Sequence, residues 1–175
     1  MNFRHLLHFG ISLTAVVAHA ERSPPNILLI VSEDHGPELG CYGEPHVRTP
    51  NLDTLARAGV RFEAAYVTQA GCSPSRASIL TGLYPHQNGQ IGLATWGFRM
   101  YADDLPTMPG ILREAGYRTG IIGKLHINPA SAFDFDLGEI SSPNFRRRNL
   151  ADYARNADRF FGAGDEPFFL MVTGG

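Results

Sequence analysis

The 175-residue chain has the length of one domain, and its 43% hydrophobic and 18% charged residues give the balance of a folded globular protein, which excludes a disordered chain. A formal net charge of -2, with no basic block and no acidic tail, excludes the electrostatic footprint of a nucleic-acid binder. The one local basic run, Arg146-Arg147-Arg148, reads as a solvated loop or helix start.

In chain order, residues 1–20 come first and differ from the rest. Arg4 and His5 give a positive start, Leu6 to Val17 is mostly apolar, and Ala18-His19-Ala20 is a small-x-small cleavage pattern. This predicts a secretory signal peptide at 1–20, a mature protein beginning near Glu21, and export to a periplasmic, secreted or lysosome-like compartment. The apolar stretch is short for a membrane span, and no other segment is a candidate for one.

Asn26-Ile27-Leu28-Leu29-Ile30-Val31 is a short, uniformly apolar run and predicts a strand buried on both faces, as in a parallel sheet. Glu33 and Asp34 follow at its carboxyl end, where open α/β sheets bind ligands. Thr49 and Pro50 open a predicted helix with Leu52, Leu55 and Ala56 on one face and Gly59 as its stop. Residues 60–67 predict a second strand. A helix starting within Ser73-Pro74-Ser75-Arg76 runs to Gly82, and another runs from Thr107 to Ala115, with Met108, Ile111 and Leu112 on its apolar face. Thr119-Gly120-Ile121-Ile122-Gly123 is a further buried strand that delivers Lys124 and His126 at its end. Residues 129–148 read as irregular, 150–161 as a helix and 167–172 as a last buried strand. The order β-α-β-α-α-β-α-β predicts an α/β fold, a mostly parallel sheet with helices on both faces.

The two cysteines, Cys41 and Cys72, do not read as a disulfide pair: Cys41 lies in a tight Gly-Cys-Tyr-Gly turn, and Cys72 opens a Ser/Pro/Arg-rich turn suited to a reactive group. Cys72 stands before a predicted helix N-terminus, where backbone N–H groups are unpartnered, and Arg76 lies one turn on. Both favour an anion. Residue chemistry alone leaves a reactive thiolate and a buried structural cysteine open.

Cys72-Ser73-Pro74-Ser75-Arg76, followed by Ala77-Ser78-Ile79-Leu80-Thr81-Gly82, closely resembles the sulfatase signature. Five further stretches match in order: Pro25-Asn26-Ile27-Leu28-Leu29-Ile30, Glu33-Asp34, Gly40-Cys41-Tyr42-Gly43, Thr49-Pro50-Asn51-Leu52-Asp53 and Gly123-Lys124-Leu125-His126. His86-Gln87-Asn88-Gly89 and Phe133-Asp134-Phe135 resemble the heparan N-sulfatase branch.

The resemblance implies an alkaline-phosphatase-like α/β fold. It implies that a formylglycine-generating enzyme oxidises Cys72 to formylglycine, and that Glu33, Asp34 and modified Cys72 hold Ca²⁺ or another divalent cation. The family's usual residue at position 33 is Asp; Glu keeps the charge on a longer arm. In the implied reaction one hydroxyl of the aldehyde hydrate attacks sulfur and expels an alcohol or amine. The second hydroxyl then loses its proton, and sulfate leaves as the aldehyde reforms. Arg76 would hold the hydrate, Lys124 would contact it and the sulfate oxygens, and His126 would act as the base. His86 is a further substrate-binding candidate, His35 could reach the site, and Trp96 could stack on a sugar or belong to the core. The implied substrate is a sulfated carbohydrate, N-sulfoglucosamine among the candidates. A phosphonate or phosphate monoesterase of the same superfamily and a non-catalytic carbohydrate- or metal-binding remnant stay open.

The sequence closes on Thr173-Gly174-Gly175, directly after the last predicted strand. The resemblance implies a further sulfate-binding His, further metal ligands and a second Lys beyond position 175. The expectation is that residues 21–175 are the N-terminal portion of a catalytic domain, with no useful turnover by themselves.

Overall fold

The computed structural model describes residues 24–140 and 149–174. The signal-peptide reading for 1–20 and the run Arg146-Arg147-Arg148 lie outside the described residues.

Four strands form one sheet, all parallel, in the order β1-β4-β2-β3. They are β1 (Ile27–Ser32), β2 (Arg118–Gly123), β3 (Leu137–Ile140) and β4 (Phe168–Gly174). Apolar runs without turn residues favour this buried pairing. The register pairs Ser32 with Gly174 and Gly123 with Thr173, so three strands end level at one carboxyl edge. Everything that follows those ends in the chain is delivered to the same place.

Alternation along β4 divides the core in two. Phe169 and Met171 pack toward Ala77, Leu80 and Met100, with Met108 and Leu112 beside them. Leu170 faces the other way, against Phe160 and Ile122, with Phe168, Val172, Tyr153 and Ala157 around them. The first face is covered by α2 (Cys72–Thr81) and α4 (Met108–Glu114), the second by α5 (Leu150–Phe161). Each fully buried Phe, Leu or Met side chain contributes about 2 kcal/mol through removal from water. The helix ends follow local chemistry. The Thr107 hydroxyl accepts from Gly110 N–H to open α4, and Asn149 accepts from Ala151 N–H to open α5.

Several expectations need correction. Residues 60–67 form no strand; Val60 is 83% exposed and Tyr66 92% exposed. They pair with neither edge strand of the sheet, and composition alone does not make a strand. β1 is buried on one face only. Ile27, Leu29 and Val31 reach the core, whereas Leu28 and Ile30 lie bare on the α5 side, Ile30 at 65% exposure, because α5 packs over β2 and β4 and leaves β1 uncovered. The stretch 129–148 is not wholly irregular, since β3 lies in it and pairs with β2. The helix α1 (Pro50–Ala58) forms, but Leu52 and Leu55 on its apolar face are exposed. Thr49 stands at its N-cap position without capping: its hydroxyl donates to Asp53 Oδ1 at 2.8 Å and accepts from Gly40 N–H at 2.9 Å. Ile111 of α4 also faces solvent. Both cysteines are free.

Candidate active site

The site is assembled at the level carboxyl edge of the sheet. Glu33 follows β1 directly, and its N–H bonds Gly174 O at 2.9 Å, which extends the β1-β4 ladder by one step. The chain then turns at Asp34, whose φ of 53° is left-handed. Asp is among the residues that tolerate that conformation. Cys72 is the first residue of α2, one position earlier than the sequence reading had the helix begin, after an extended Gly71. Its side chain thus sits where the helix N–H groups are unpartnered. Arg76 follows four residues on and shares its face.

Lys124 and His126 leave the end of β2. The Lys124 ammonium donates to Glu33 Oε1. Arg76 donates from Nη1 to the Lys124 carbonyl at 2.6 Å and places Nη2 3.9 Å from the same Glu33 oxygen. The three side chains are almost sealed, with exposures of 7% for Glu33, 4% for Arg76 and 3% for Lys124. Burial alone would raise the Glu33 pKa. Hydrogen bonds from Lys124 and the Cys72 thiol, with the charges of Lys124 and Arg76, outweigh it and hold the carboxyl below its ordinary value. Glu33 is therefore an ionised carboxylate at neutral pH.

His126 adopts a left-handed φ of 54°. Both of its ring nitrogens are buried without a hydrogen-bond partner. Burial lowers its pKa, and the Lys124 and Arg76 charges lower it further against the opposing charge of Glu33. The ring is neutral at neutral pH, with a lone pair available to take a proton. The left-handed backbone and the unpartnered buried ring nitrogens set His126 apart from a side chain held by packing and hydrogen bonds alone.

Glu33, Asp34 and Cys72 bring one ligand atom each within 4.8 Å of one another. Two carboxylates suit a hard cation such as Ca²⁺, whereas a thiol suits a softer one. The donor set becomes uniform only when residue 72 carries oxygen in place of sulfur. These residues border a cleft of about 540 Å³, also lined by His35, Gln69, Ser75 and Leu93.

The structure thus brings Glu33, Asp34, Cys72, Arg76, Lys124 and His126 to one edge of the sheet. His35 lines the cleft and is exposed. His86 lies on α3 (Pro85–Asn88), exposed, with its ring stacked on Tyr84 at 5.7 Å, and is not among the cleft-lining residues. Trp96 is 75% exposed and belongs to no core cluster. Sequence reasoning missed two buried polar residues. Ser73 accepts from Ala94 N–H at 2.9 Å and ties the start of α2 to the 94–96 turn. Thr173 bonds the Lys124 main chain. The available signal for Ser73 was its place beside Cys72; for Thr173 it was a polar residue closing an apolar strand.

The fold is α/β, with a parallel sheet whose carboxyl edge gathers a cysteine at a helix N-terminus, paired acids, an arginine, a lysine and a histidine. The chain belongs to the sulfatase family, whose family model matches residues 25–172. It is 39% identical over 168 residues to N-sulphoglucosamine sulphohydrolase of Homo sapiens, a match covering 93% of this chain and 33% of that protein. It is 42% identical over 116 residues to N-acetylgalactosamine-6-O-sulfatase of Bacteroides thetaiotaomicron, covering 64% of this chain and 23% of that protein. A solved alkaline phosphatase superfamily protein from Vibrio parahaemolyticus superposes with a TM-score of 0.59 at 21% identity, covering 88% of this chain and 41% of that one, and shares the fold. The chain therefore spans about a third of the length of its human relative.

Proposed function

We propose that this chain carries the nucleophile-bearing wall of a sulfatase site that hydrolyses a sulfate ester or sulfamate of a carbohydrate. The carrying observation is the convergence of Glu33, Asp34 and Cys72 donors within 4.8 Å, beside the buried Arg76 and Lys124.

In this reading Cys72 is converted to formylglycine by a formylglycine-generating enzyme, and Glu33, Asp34 and residue 72 hold a divalent cation, Ca²⁺ by the hardness of its donors. When bound, the cation polarises an oxygen nucleophile and offsets charge on the sulfate, while the aldehyde hydrate offers one hydroxyl for attack and a second for release. Arg76 and Lys124 fix the Glu33 carboxylate and present positive charge where sulfate oxygens gather. His126, neutral and unpartnered, accepts the proton whose loss lets sulfate depart. The human relative's name supports a sulfamate of glucosamine as the substrate. Residues 1–20 support export.

Peptide mass spectrometry across Cys72, after expression with a formylglycine-generating enzyme, tests the reading. Conversion of the thiol to the aldehyde is expected. An unmodified thiol beside a converted control sulfatase would remove the nucleophile and refute the proposal. In a form spanning the relatives' length, activity on N- and O-sulfated glucosamine, with a phosphate ester as control, then sorts the substrate class.

A further inference from the structure

We infer that Thr173 is a positioning residue for Lys124, holding the lysine main chain so that its ammonium meets Glu33 at the sheet edge. Thr173 is fully buried near the end of β4 and faces Gly123 across the β2-β4 pairing. Its Oγ1 accepts the Lys124 N–H at 2.5 Å and donates to the Lys124 carbonyl at 3.0 Å. One hydroxyl therefore occupies both main-chain groups of the lysine. Arg76 donates to the same carbonyl at 2.6 Å, so the residue is gripped from β4 and from α2.

The chemistry requires such a grip. Lys124 is the first residue beyond β2, where the ladder ends and main-chain groups lose their strand partners. It is nonetheless buried, away from the water that would otherwise satisfy them. Its ammonium rides on a flexible four-carbon stem, so its place depends on where the main chain is anchored. The approach is close on both sides. A Cβ on Gly123, whose φ is 105°, would stand 2.0 Å from Thr173 O, and the Tyr153 hydroxyl of α5 donates to that oxygen at 3.2 Å. The strand end is thus pressed onto the lysine segment and held there from α5.

Lys124 is the only lysine of the sequence, which makes amine acylation a reporter of this one side chain, the terminal amine being resolved on its own peptide. The experiment times acetylation of Lys124 by an N-hydroxysuccinimide ester in the full chain, using peptide mass spectrometry. Thr173→Val keeps the β-branched shape and removes the hydroxyl, whereas Thr173→Ser keeps the hydroxyl. The unsubstituted chain should label slowly, Thr173→Val about tenfold faster, and Thr173→Ser within about twofold of the unsubstituted rate. Hydrogen exchange at the Ile121 and Leu170 amides reports whether the sheet itself has loosened. If it loosens in Thr173→Val, the Ser variant decides.

A Thr173→Val chain that labels at the unsubstituted rate overturns the inference. So does a Thr173→Ser chain that labels as fast as Val, or an unsubstituted chain whose lysine reacts like a free amine. The consequence for catalysis rests on the proposed sulfatase reading, but the labelling does not. A labelling difference in a protein whose Cys72 stays an unmodified thiol beside a converted control sulfatase would leave the positioning role standing and refute the function.

Discussion

Arg76 does two jobs that a lysine could not combine. Its guanidinium donates to the Lys124 carbonyl and faces the Glu33 carboxylate from one rigid plane. Removing one partner of a buried charge cluster strands the others. Arg76→Ala is therefore expected to destabilise the chain by about 3 kcal/mol, read as a lower urea midpoint, and Arg76→Lys should recover only part of that loss. His126 makes a pH prediction. Its folded pKa lies below the ordinary value of about 6.5, so the unfolded chain binds the proton more readily. The stability that follows from a neutral His126 is complete above about pH 6.5 and is lost as the pH falls from there through the folded value. Urea midpoints taken just above and well below that pH should diverge in the native chain and diverge less in His126→Asn. An equal divergence in both would show that another group carries the effect.

At the scale of elements, α5 and β2 are fitted to each other at one point. Gly120 lies under Phe160, and a Cβ there would stand 2.7 Å from the Phe160 ring and 3.0 Å from Leu170. Gly120→Ala should cost about 2 kcal/mol by overpacking, and Phe160→Ala about 4 kcal/mol through the cavity it leaves. Because both act on one contact, the double variant should cost less than the sum of the two, a departure that equilibrium unfolding measures directly. The N-cap of α4 is a separate and smaller contribution. Thr107→Ala should cost about 1 kcal/mol, and it should add to the Phe160 effect because the two lie on opposite faces of the sheet.

For the whole molecule, the arrangement is lopsided among the described residues. Both faces of β2 and β4 are buried, while β1 presents Leu28 and Ile30 to solvent near an edge with no strand beyond it. Exposed apolar groups on an open strand edge favour association between chains. Ile30→Lys is expected to lower light scattering of the concentrated chain and to leave the unfolding midpoint within about 0.5 kcal/mol of its native value. Unchanged scattering would place the association elsewhere. No helix among the described residues is long and apolar enough to cross a membrane.

Much of this was legible in the amino-acid sequence because its signals are local. An apolar run bounded by Gly or acidic residues makes a strand, Thr107 and Gly82 bound helices, and the Cys72 to Gly82 run carries the family. The order of elements implies parallel pairing, and Glu33, Asp34, Lys124 and His126 stand directly after strand-like runs in the sequence, where such sheets bind ligands. What the sequence could not decide is which neighbour each element finds. Residues 60–67 have strand composition and no partner, β3 has a partner and little strand composition, and β1 is apolar on both faces with only one covered. Ladder hydrogen bonds and buried area belong to pairs of segments, so a single segment cannot report them. The same holds at the site. The sequence determined that an acid, a lysine and an arginine would leave neighbouring strand and helix ends. Only the level register of β1, β4 and β2 made them converge on one carboxylate oxygen and set the Thr173 hydroxyl against the Lys124 main chain.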